Sequence, residues 1–570
     1  MKLKAIHLQF EQSSLQSPDW LIWLLAMICV WGGLGAYGVL NNNEGLYAQI
    51  SYDMLNSGDV RHWIIPYLNG LPYMEKPPLL YWLTAFAMFV FGEADWVPRL
   101  VPTLAGLATV GVILNFGRRI YRPQVGRMAA LMFISGLGVL VICRTLLFDM
   151  LLTAFLTLTL LNAYLFKVEG HLRDLRIAHV GLAFAVLTKG FVALLLFGLV
   201  TLAWIILING TAAWKQIGKW IDPVSIGLFL AITAPWFVAA SLIEPIFPWF
   251  FFVNEHVLRF LGLRTPHDFY SGPWWYYLPR MVFYLFPWSL LVPIALLSRW
   301  TSLSRVEHQE FIILRKTLVL GWLVPLLFFS ISNAKANYYV IVVMPFAALN
   351  LALLLEQTNF LTGKRSLILG GLIALCSCVL AVSLQFFSVQ LPPHLSDFAL
   401  TILGMPLEKF VVMLLWSVTV LSLFTAWLAW YFPRLGMVAY TAIPLFFMAA
   451  MLVATQASEP SISDHVLAKF IRHSLPGSKV YLYRNFERDS SLAFYLRKPI
   501  TIINSTSADL YWGDKLSPDN PIMVDRSEFF SQKGPKVVVV SNIYLDEFTR
   551  KKLPGKFMHS KQFGDTTVFY

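Results

Sequence analysis

Charge is what this chain has least of. Only 13% of its 570 residues are charged, against about 25% in an ordinary soluble domain, which excludes a water-soluble globule for most of its length. Cysteine is also scarce. Cys29, Cys143, Cys376 and Cys378 all lie in or beside apolar runs, where thiols pack as small hydrophobes. Cys376 and Cys378 have no second Cys/His pair beside them to suggest a metal site. No internal repeat or low-complexity tract is present. The net charge of +12 does not mark a nucleic-acid partner, because the cations are distributed in the way that membrane orientation requires.

What the chain has in abundance is apolar sequence, 57% of the total. Runs near 20–40, 97–117, 128–142, 146–166, 177–187, 191–208, 222–243, 277–298, 317–332, 338–355, 366–388, 410–431 and 435–455 read as thirteen spans, since about 20 residues cross a bilayer core. The first is read as a retained anchor, because no small-residue cleavage site follows it. The stretch Leu79–Gly92 is equally apolar but short, which fits an interfacial or re-entrant helix. Excluding it, with the N-terminus cytoplasmic, places Lys2, Lys4, Arg118, Arg119, Arg122, Arg127, Lys167, Arg173, Arg176, Lys215, Lys219, Arg299, Arg305, Arg315, Lys316, Lys364, Arg365 and Arg434 in one set of loops. The opposite set holds Arg61, Lys76, Arg144, Lys189, Arg259, Arg264 and Lys335. That is the asymmetry of the positive-inside rule. From 456 to 570 the composition turns charged, with short β-like runs at 479–482, 500–503, 537–540 and 566–570 and a helical stretch near 465–473. It reads as a small soluble α/β domain following a membrane domain of residues 1–455, and an odd number of spans puts it in the periplasm.

Unusual residues gather in the expected periplasmic loops, 42–96, 143–149, 244–276 and 333–337. The first loop carries Asn43-Glu44-Gly45-Leu46-Tyr47-Ala48, Ser57-Gly58-Asp59 and Tyr73-Met74-Glu75-Lys76-Pro77-Pro78. Then come Arg144 and Asp149, Lys189, the segment Asn254-Glu255-His256 with Arg259, His267 and Trp274–Tyr277, and finally Asn333, Lys335, Tyr338 and Tyr339. Each has a bland reading. Glu44 or Asp149 suits a helix N-terminus, Lys189 can snorkel to the interface, and Trp274–Tyr277 suits an aromatic belt. The spacing of His256 and His267 makes a poor metal pair. The convergence of acids, cations and aromatics from five segments on one membrane face favours function, because ionisable groups at membrane depth are costly.

These motifs, with Leu187-Thr188-Lys189-Gly190 and Phe286-Pro287-Trp288 in the same order, resemble the bacterial protein-mannosyltransferase-like enzymes. Within that group they are most similar to the aminoarabinose transferases that modify lipid A. The resemblance implies a polytopic α-helical membrane protein of GT-C type with a soluble C-terminal domain and a polyprenyl-phosphate sugar donor. Stabilising the departing phosphate calls for cations, which nominates Lys76, Lys189, Arg259 and Lys335. A hydroxyl acceptor needs a base within hydrogen-bond reach, and Asp149 and Glu44 are the candidates. Asn43 stands where relatives commonly carry Asp, and an amide cannot take a proton. Tyr73, Glu255, His256, His267, Tyr338 and Tyr339 are expected to contact substrate, and the resemblance points to a divalent metal at Glu75.

The resulting expectation is an inverting glycosyltransferase of the bacterial inner membrane. It takes a polyprenyl-phosphate sugar and a lipid A-type or other envelope acceptor, lipid or protein, and has membrane lipids around it. No glycine-rich phosphate loop or Asp-x-Asp element for a nucleotide sugar appears on the cytoplasmic side. Protein O-mannosylation is the neighbouring alternative. A lipid or ion transporter is the alternative of another class, and it predicts midplane charges and pseudo-repeats that the sequence lacks.

Overall fold

The computed structural model describes residues 18–120, 122–209, 218–267, 271–297, 305–356, 366–386, 401–432, 436–550 and 557–570. Lys2, Lys4, Lys215, Arg299, Lys364, Arg365 and Arg434, which carry part of the charge asymmetry, lie outside these residues.

Among the described residues eight helices are long and apolar enough to cross a membrane: Leu100–Arg119, Phe148–Glu169, Pro223–Ile243, Phe311–Ile331, Asn337–Glu356, Leu367–Phe386, Leu407–Tyr431 and Met437–Ile462. Asp19–Trp31, Leu79–Phe91 and Phe191–Leu207 are shorter apolar helices. The chain is therefore a polytopic α-helical membrane protein, but the expected thirteen spans are not matched one for one. The first run is helical only over Asp19–Trp31. The run expected at 128–142 is two helices, Pro123–Ile134 and Leu137–Ile142, and the run at 277–298 is broken between Tyr277–Tyr284 and Trp288–Leu291. The two breaks meet. Leu137 N donates to Phe286 O at 3.2 Å and Trp288 Nε1 to Ser135 Oγ at 2.9 Å. Irregular backbone is tolerated at membrane depth where neighbouring protein satisfies it in this way, and hydropathy alone does not reveal it.

Helix Phe148–Glu169 has a different chemistry at each end. At its C-terminal end Glu169 pairs with Arg119 at 2.5 Å, close to pairs of Arg119 with Asp174 at 2.5 Å and of Arg176 with Asp222 at 3.3 Å. At the other end lies Asp149, some 20 residues and about 30 Å away along the axis.

The last apolar helix runs on to Ile462 and leads into a six-stranded sheet. In chain order its strands are β1 Lys479–Tyr483, β2 Thr501–Ile503, β3 Met523–Val524, β4 Lys536–Ser541, β5 Ser560–Phe563 and β6 Thr566–Phe569. The spatial order is β3-β2-β1-β4-β6-β5. The first four are parallel, and β6 and β5 close the edge antiparallel. Val537–Val540 in β4 are fully buried, as a continuous β-branched run demands of a sheet covered on both faces.

This domain is bolted to the membrane part through the first loop. Asn42 N donates to Glu487 O at 2.9 Å, Ser491 N to Asn41 Oδ1 at 2.9 Å and Ser490 Oγ to Asn42 O at 3.0 Å. Asn69 accepts from Ile500 N at 2.7 Å and donates to Ile500 O at 2.9 Å. Gly45 is required by this docking, since a Cβ there would sit 2.6 Å from both Ser490 Oγ and Ser491 N.

Candidate active site

Between the loop ends and the docked domain lies a cavity of about 770 Å³. From the membrane side it is lined by Asn43, Tyr47, Tyr73, Glu75, Lys76, Asp149, Lys189, Arg259, Arg264, Tyr338 and Tyr339, and from the C-terminal domain by Arg484, Asn485, Glu487, Arg488, Asp509, Tyr544 and Glu547. Ten of the fourteen residues nominated from sequence thus gather at one place, counting Glu255 through its ion pairs with lining residues.

The centre of the cavity is an ion network. Glu75 pairs with Arg264 and, at 3.7 Å, with Lys76. Glu255 binds Arg264 at 2.5 Å, Arg259 at 3.0 Å and Lys76 at 3.9 Å. Among the described residues three cations thus face two carboxylates, a surplus of positive charge in a largely buried site. Burial would raise the Glu255 pKa, but Arg264, Arg259 and Lys76 outweigh it and hold the carboxyl below its usual value. Burial pushes the Lys76 ammonium down from its ordinary value, and the Arg259 charge adds to this, partly opposed by Glu75 and Glu255. Lys76 makes the longest contacts of the three cations, so its charge is the least committed.

Beside this network Lys189 is ion-paired with Asp149, and its Nζ lies 4.1 Å from the Tyr339 ring centroid. Asn43 Nδ2 donates to Tyr338 Oη at 3.4 Å, and Asn43 Oδ1 accepts from Tyr47 Oη at 3.1 Å. The amide bridges two tyrosines and holds no proton-accepting carboxylate there. Asn42 precedes it with a left-handed φ of 62°, a costly conformation for a non-glycine residue that the Glu487 and Ser490 hydrogen bonds hold in place.

Four nominated residues fall elsewhere. Glu44 is 2% exposed and lies outside the cavity lining. It accepts from Arg99 Nε at 2.9 Å, Arg99 Nη2 at 2.7 Å, Leu40 N at 2.9 Å and Leu146 N at 3.1 Å. The remaining Arg99 donors go to the carbonyls of Leu34, Tyr37 and Gly38, so all five of its N–H groups are used. Lys335 lies off the cavity, its Nζ donating to Ser332 O at 2.5 Å. His256 accepts from Phe191 N at 3.1 Å and contacts Phe251 O at 2.6 Å. It therefore fixes the turn after Lys189 and lies outside the cavity lining. Gly190 belongs to that turn, with φ of 81° and His256 Nε2 only 2.8 Å from where its Cβ would lie. His267 is exposed and outside the lining set.

Glu75 does not fit a metal ligand. Its oxygens already face Arg264 and Lys76, and among the described residues no three His, Cys, Asp or Glu side chains converge.

Sequence reasoning missed Arg264 and the whole C-terminal wall. Arg264 joins Glu75 to Glu255, yet it lies 189 positions from Glu75. Its one sequence signal was membership of the sparse set of cations expected on the periplasmic side. Trp512 Nε1 donates to Thr265 O at 2.7 Å, docking the domain beside Arg264, and nothing local in the sequence announces that contact.

Comparison with known proteins agrees with this geometry. Residues 75–238 match the family described as dolichyl-phosphate-mannose-protein mannosyltransferase. An undecaprenyl phosphate-alpha-4-amino-4-deoxy-L-arabinose arabinosyl transferase of Pseudomonas fluorescens is 29% identical over 488 residues, covering 84% of each chain. A transferase of the same name from Pseudomonas savastanoi pv. phaseolicola is 32% identical over 333 residues, 57% of this chain and 59% of that one. The crystal structure of ArnT from Cupriavidus metallidurans bound to undecaprenyl phosphate superposes with a TM-score of 0.78 at 22% identity, covering 97% of both chains. The resemblance carried by Glu75-Lys76-Pro77-Pro78 and its companion motifs is thus borne out, and the chain is similar along most of its sequence, and in its GT-C type fold, to the aminoarabinose transferases of the protein-mannosyltransferase-like group.

Proposed function

We propose that this protein transfers an aminopentose from a polyprenyl-phosphate carrier to a lipid A-type acceptor, with inversion, at the periplasmic face of a bacterial inner membrane. One observation carries the reading. Three cations and two carboxylates share a buried cavity, and the surplus charge suits the phosphate of a lipid donor. The names of the sequence relatives supply the sugar.

The chemistry follows from the residues. As the acceptor oxygen attacks the anomeric carbon, the bond to the carrier phosphate breaks and its electron pair leaves with the phosphate. Lys76 and Arg259 stabilise that developing charge by charge-assisted hydrogen bonds, while Arg264 holds Glu75 and Glu255 so that neither competes for it. Phosphate leaves as a stable anion, so no general acid is needed. Asp149 is the base for a hydroxyl acceptor, with Lys189 orienting its carboxylate. An acceptor that is itself a phosphate arrives ionised and needs no base.

The orientation rests on the charge asymmetry. The arginine-rich helix ends, cytoplasmic by the positive-inside rule, lie at the opposite end of Phe148–Glu169 from the cavity. This supports a cytoplasmic N-terminus and a periplasmic C-terminal domain. A transporter is a poorer fit, because these charges sit under a docked domain and not along a path through the bilayer.

The test is transfer by the purified full-length protein from undecaprenyl-phosphate aminoarabinose to lipid A, read by mass spectrometry. The wild type should add the aminopentose and Lys76→Ala should not. Transfer to protein from a mannosyl donor, with none to lipid A, would replace this reading by protein O-mannosylation.

A further inference from the structure

The cavity-lining carboxylates differ in what they already hold. Asp149 has Lys189, Glu75 has Arg264 and Lys76, and Glu547 has Arg484. Asp509 has neither hydrogen bond nor ion pair on its carboxylate among the described residues, although it lines the same wall. Its backbone N–H donates to Glu487 Oε1 at 2.9 Å, which also accepts from Ser507 Oγ at 2.6 Å. The other oxygen, Glu487 Oε2, is buried with no partner.

Two adjacent acids at the edge of a cavity are thus short of a cation. Burial pushes the Asp509 carboxyl well above the usual range, and Glu75 and Glu487 push it the same way, outweighing the more favourable Arg264 and Lys76. A cation arriving beside it would restore the ionised form. Lys76 and Arg259 form their ion pairs with Glu75 and Glu255 and make none with Asp509. Among the described residues no cation pairs with Asp509, and a cationic group on the substrate would supply that partner.

We infer that Asp509, seconded by Glu487, receives the protonated amino group of the donor sugar and so selects an amino sugar over a neutral one. The inference rests on the proposed function, whose donor carries an anion and an ammonium at opposite ends of one sugar ring. The cavity carries the complementary pair, with a cation surplus at Lys76–Arg259–Arg264 from the membrane domain and unanswered carboxylate on the C-terminal wall. Donor selection then belongs to the soluble domain, and the membrane domain grips the phosphate common to all such donors.

The experiment uses full-length wild type, Asp509→Asn and Glu487→Gln with three probes: undecaprenyl-phosphate aminoarabinose, its N-formyl derivative, which is uncharged at that nitrogen, and undecaprenyl phosphate alone as inhibitor. Losing one charge-assisted contact should raise the KM for the amino donor on the order of 10–100-fold in Asp509→Asn. Glu487→Gln should shift it in the same direction but less. KM for the N-formyl donor and inhibition by undecaprenyl phosphate should stay unchanged in both. Equal loss with both donors, or no loss with either, overturns the assignment, as does a wild type that uses the two donors equally. Should Asp509→Asn fail to fold, Glu487→Gln still decides on the same ratio. A wild type that transfers neither donor to lipid A would refute the proposed function itself.

Discussion

Two of the buried ion clusters among the described residues differ in what they have left over. At Glu44–Arg99 one carboxylate meets one guanidinium, every donor of Arg99 is used, and Glu44 accepts four hydrogen bonds. The charge balances and nothing remains for a ligand. At Glu75–Glu255 three cations meet two carboxylates and open onto a cavity. The first cluster ties the chain after the first helix to the loop before Asp149. The second has charge to offer. A charged residue in a loop on the cavity side is therefore not a catalytic candidate by position, and what decides is whether its neighbours already satisfy it.

The sharpest way to break this contrast is to remove one partner from each cluster. Glu44→Gln strands a buried guanidinium, and breaking a buried pair costs about 3–5 kcal/mol. The variant should melt early in detergent, yet the molecules that stay folded should transfer sugar at the wild-type rate. Lys76→Ala should do the reverse. Losing one preorganised stabiliser typically costs about 10²–10³-fold in rate, and the melting temperature should hold. An active, stable Lys76→Ala, or a stable but inactive Glu44→Gln, would invert the assignment of the two clusters.

Next in size is the pair Asp149 and Asn43. Asp149→Asn should cost on the order of 10²–10⁴-fold with a hydroxyl acceptor. Asn43→Ala loses two neutral hydrogen bonds, to Tyr338 and from Tyr47, worth about 0.5–1.5 kcal/mol each, so about tenfold is expected. Full activity of Asp149→Asn on lipid A would mean that the acceptor brings its own anion, which points to a phosphate. If Asn43→Ala is the worse of the two, the base assignment fails.

The membrane half of the site was legible because its residues occur in short contiguous motifs. Glu75-Lys76-Pro77-Pro78 is one tetrapeptide, and the prolines restrict the backbone that carries the acid and the cation. The length of Leu79–Phe91 likewise announced a helix shorter than an ordinary span. The sheet strands near 479, 501, 536 and 566 were readable from β-branched runs, whereas Met523–Val524 is too short and Ser560–Phe563 too polar to stand out. Contacts between distant segments were not legible. Ser491 reaches Asn41 across 450 positions, and a charge-rich domain gives no local reason to choose Asp509 or Arg484 over its other ionisable residues. The saturation of Glu44 was hidden for the same reason, since its partner Arg99 is 55 residues away.

A smaller effect should appear in pH dependence. Lys76 must be protonated to hold the donor phosphate, and burial lowers its pKa from 10.5. Affinity for undecaprenyl phosphate should therefore fall as pH rises through a value below 10.5. Lys76→Arg should lack that alkaline limb, because a guanidinium stays charged, while binding less well overall for want of the compact ammonium. Calorimetric titration across the alkaline range measures both. A wild-type limb at or above the free-lysine value would show that Lys76 is not the titrating group.

The smallest effect is expected at Lys335, and it tests where the cation surplus ends. Lys335 shares a membrane face with Lys76 and Lys189 and was equally plausible on sequence as a phosphate ligand. In the structure its ammonium donates to Ser332 O at 2.5 Å, three residues back, and the residue lies outside the cavity lining. Its charge therefore caps the end of helix Phe311–Ile331, where a cation is worth about 0.3–1 kcal/mol against the helix dipole. Lys335→Ala should lower the melting temperature slightly and leave KM for the donor within about twofold, since 1.4 kcal/mol would be needed for a tenfold change. The same substitution at Lys76 removes charge from the cavity itself. If Lys335→Ala instead raises the donor KM as much as Lys76→Ala does, the phosphate reaches beyond the Glu75–Glu255 network, and the boundary drawn between structural and functional cations is misplaced.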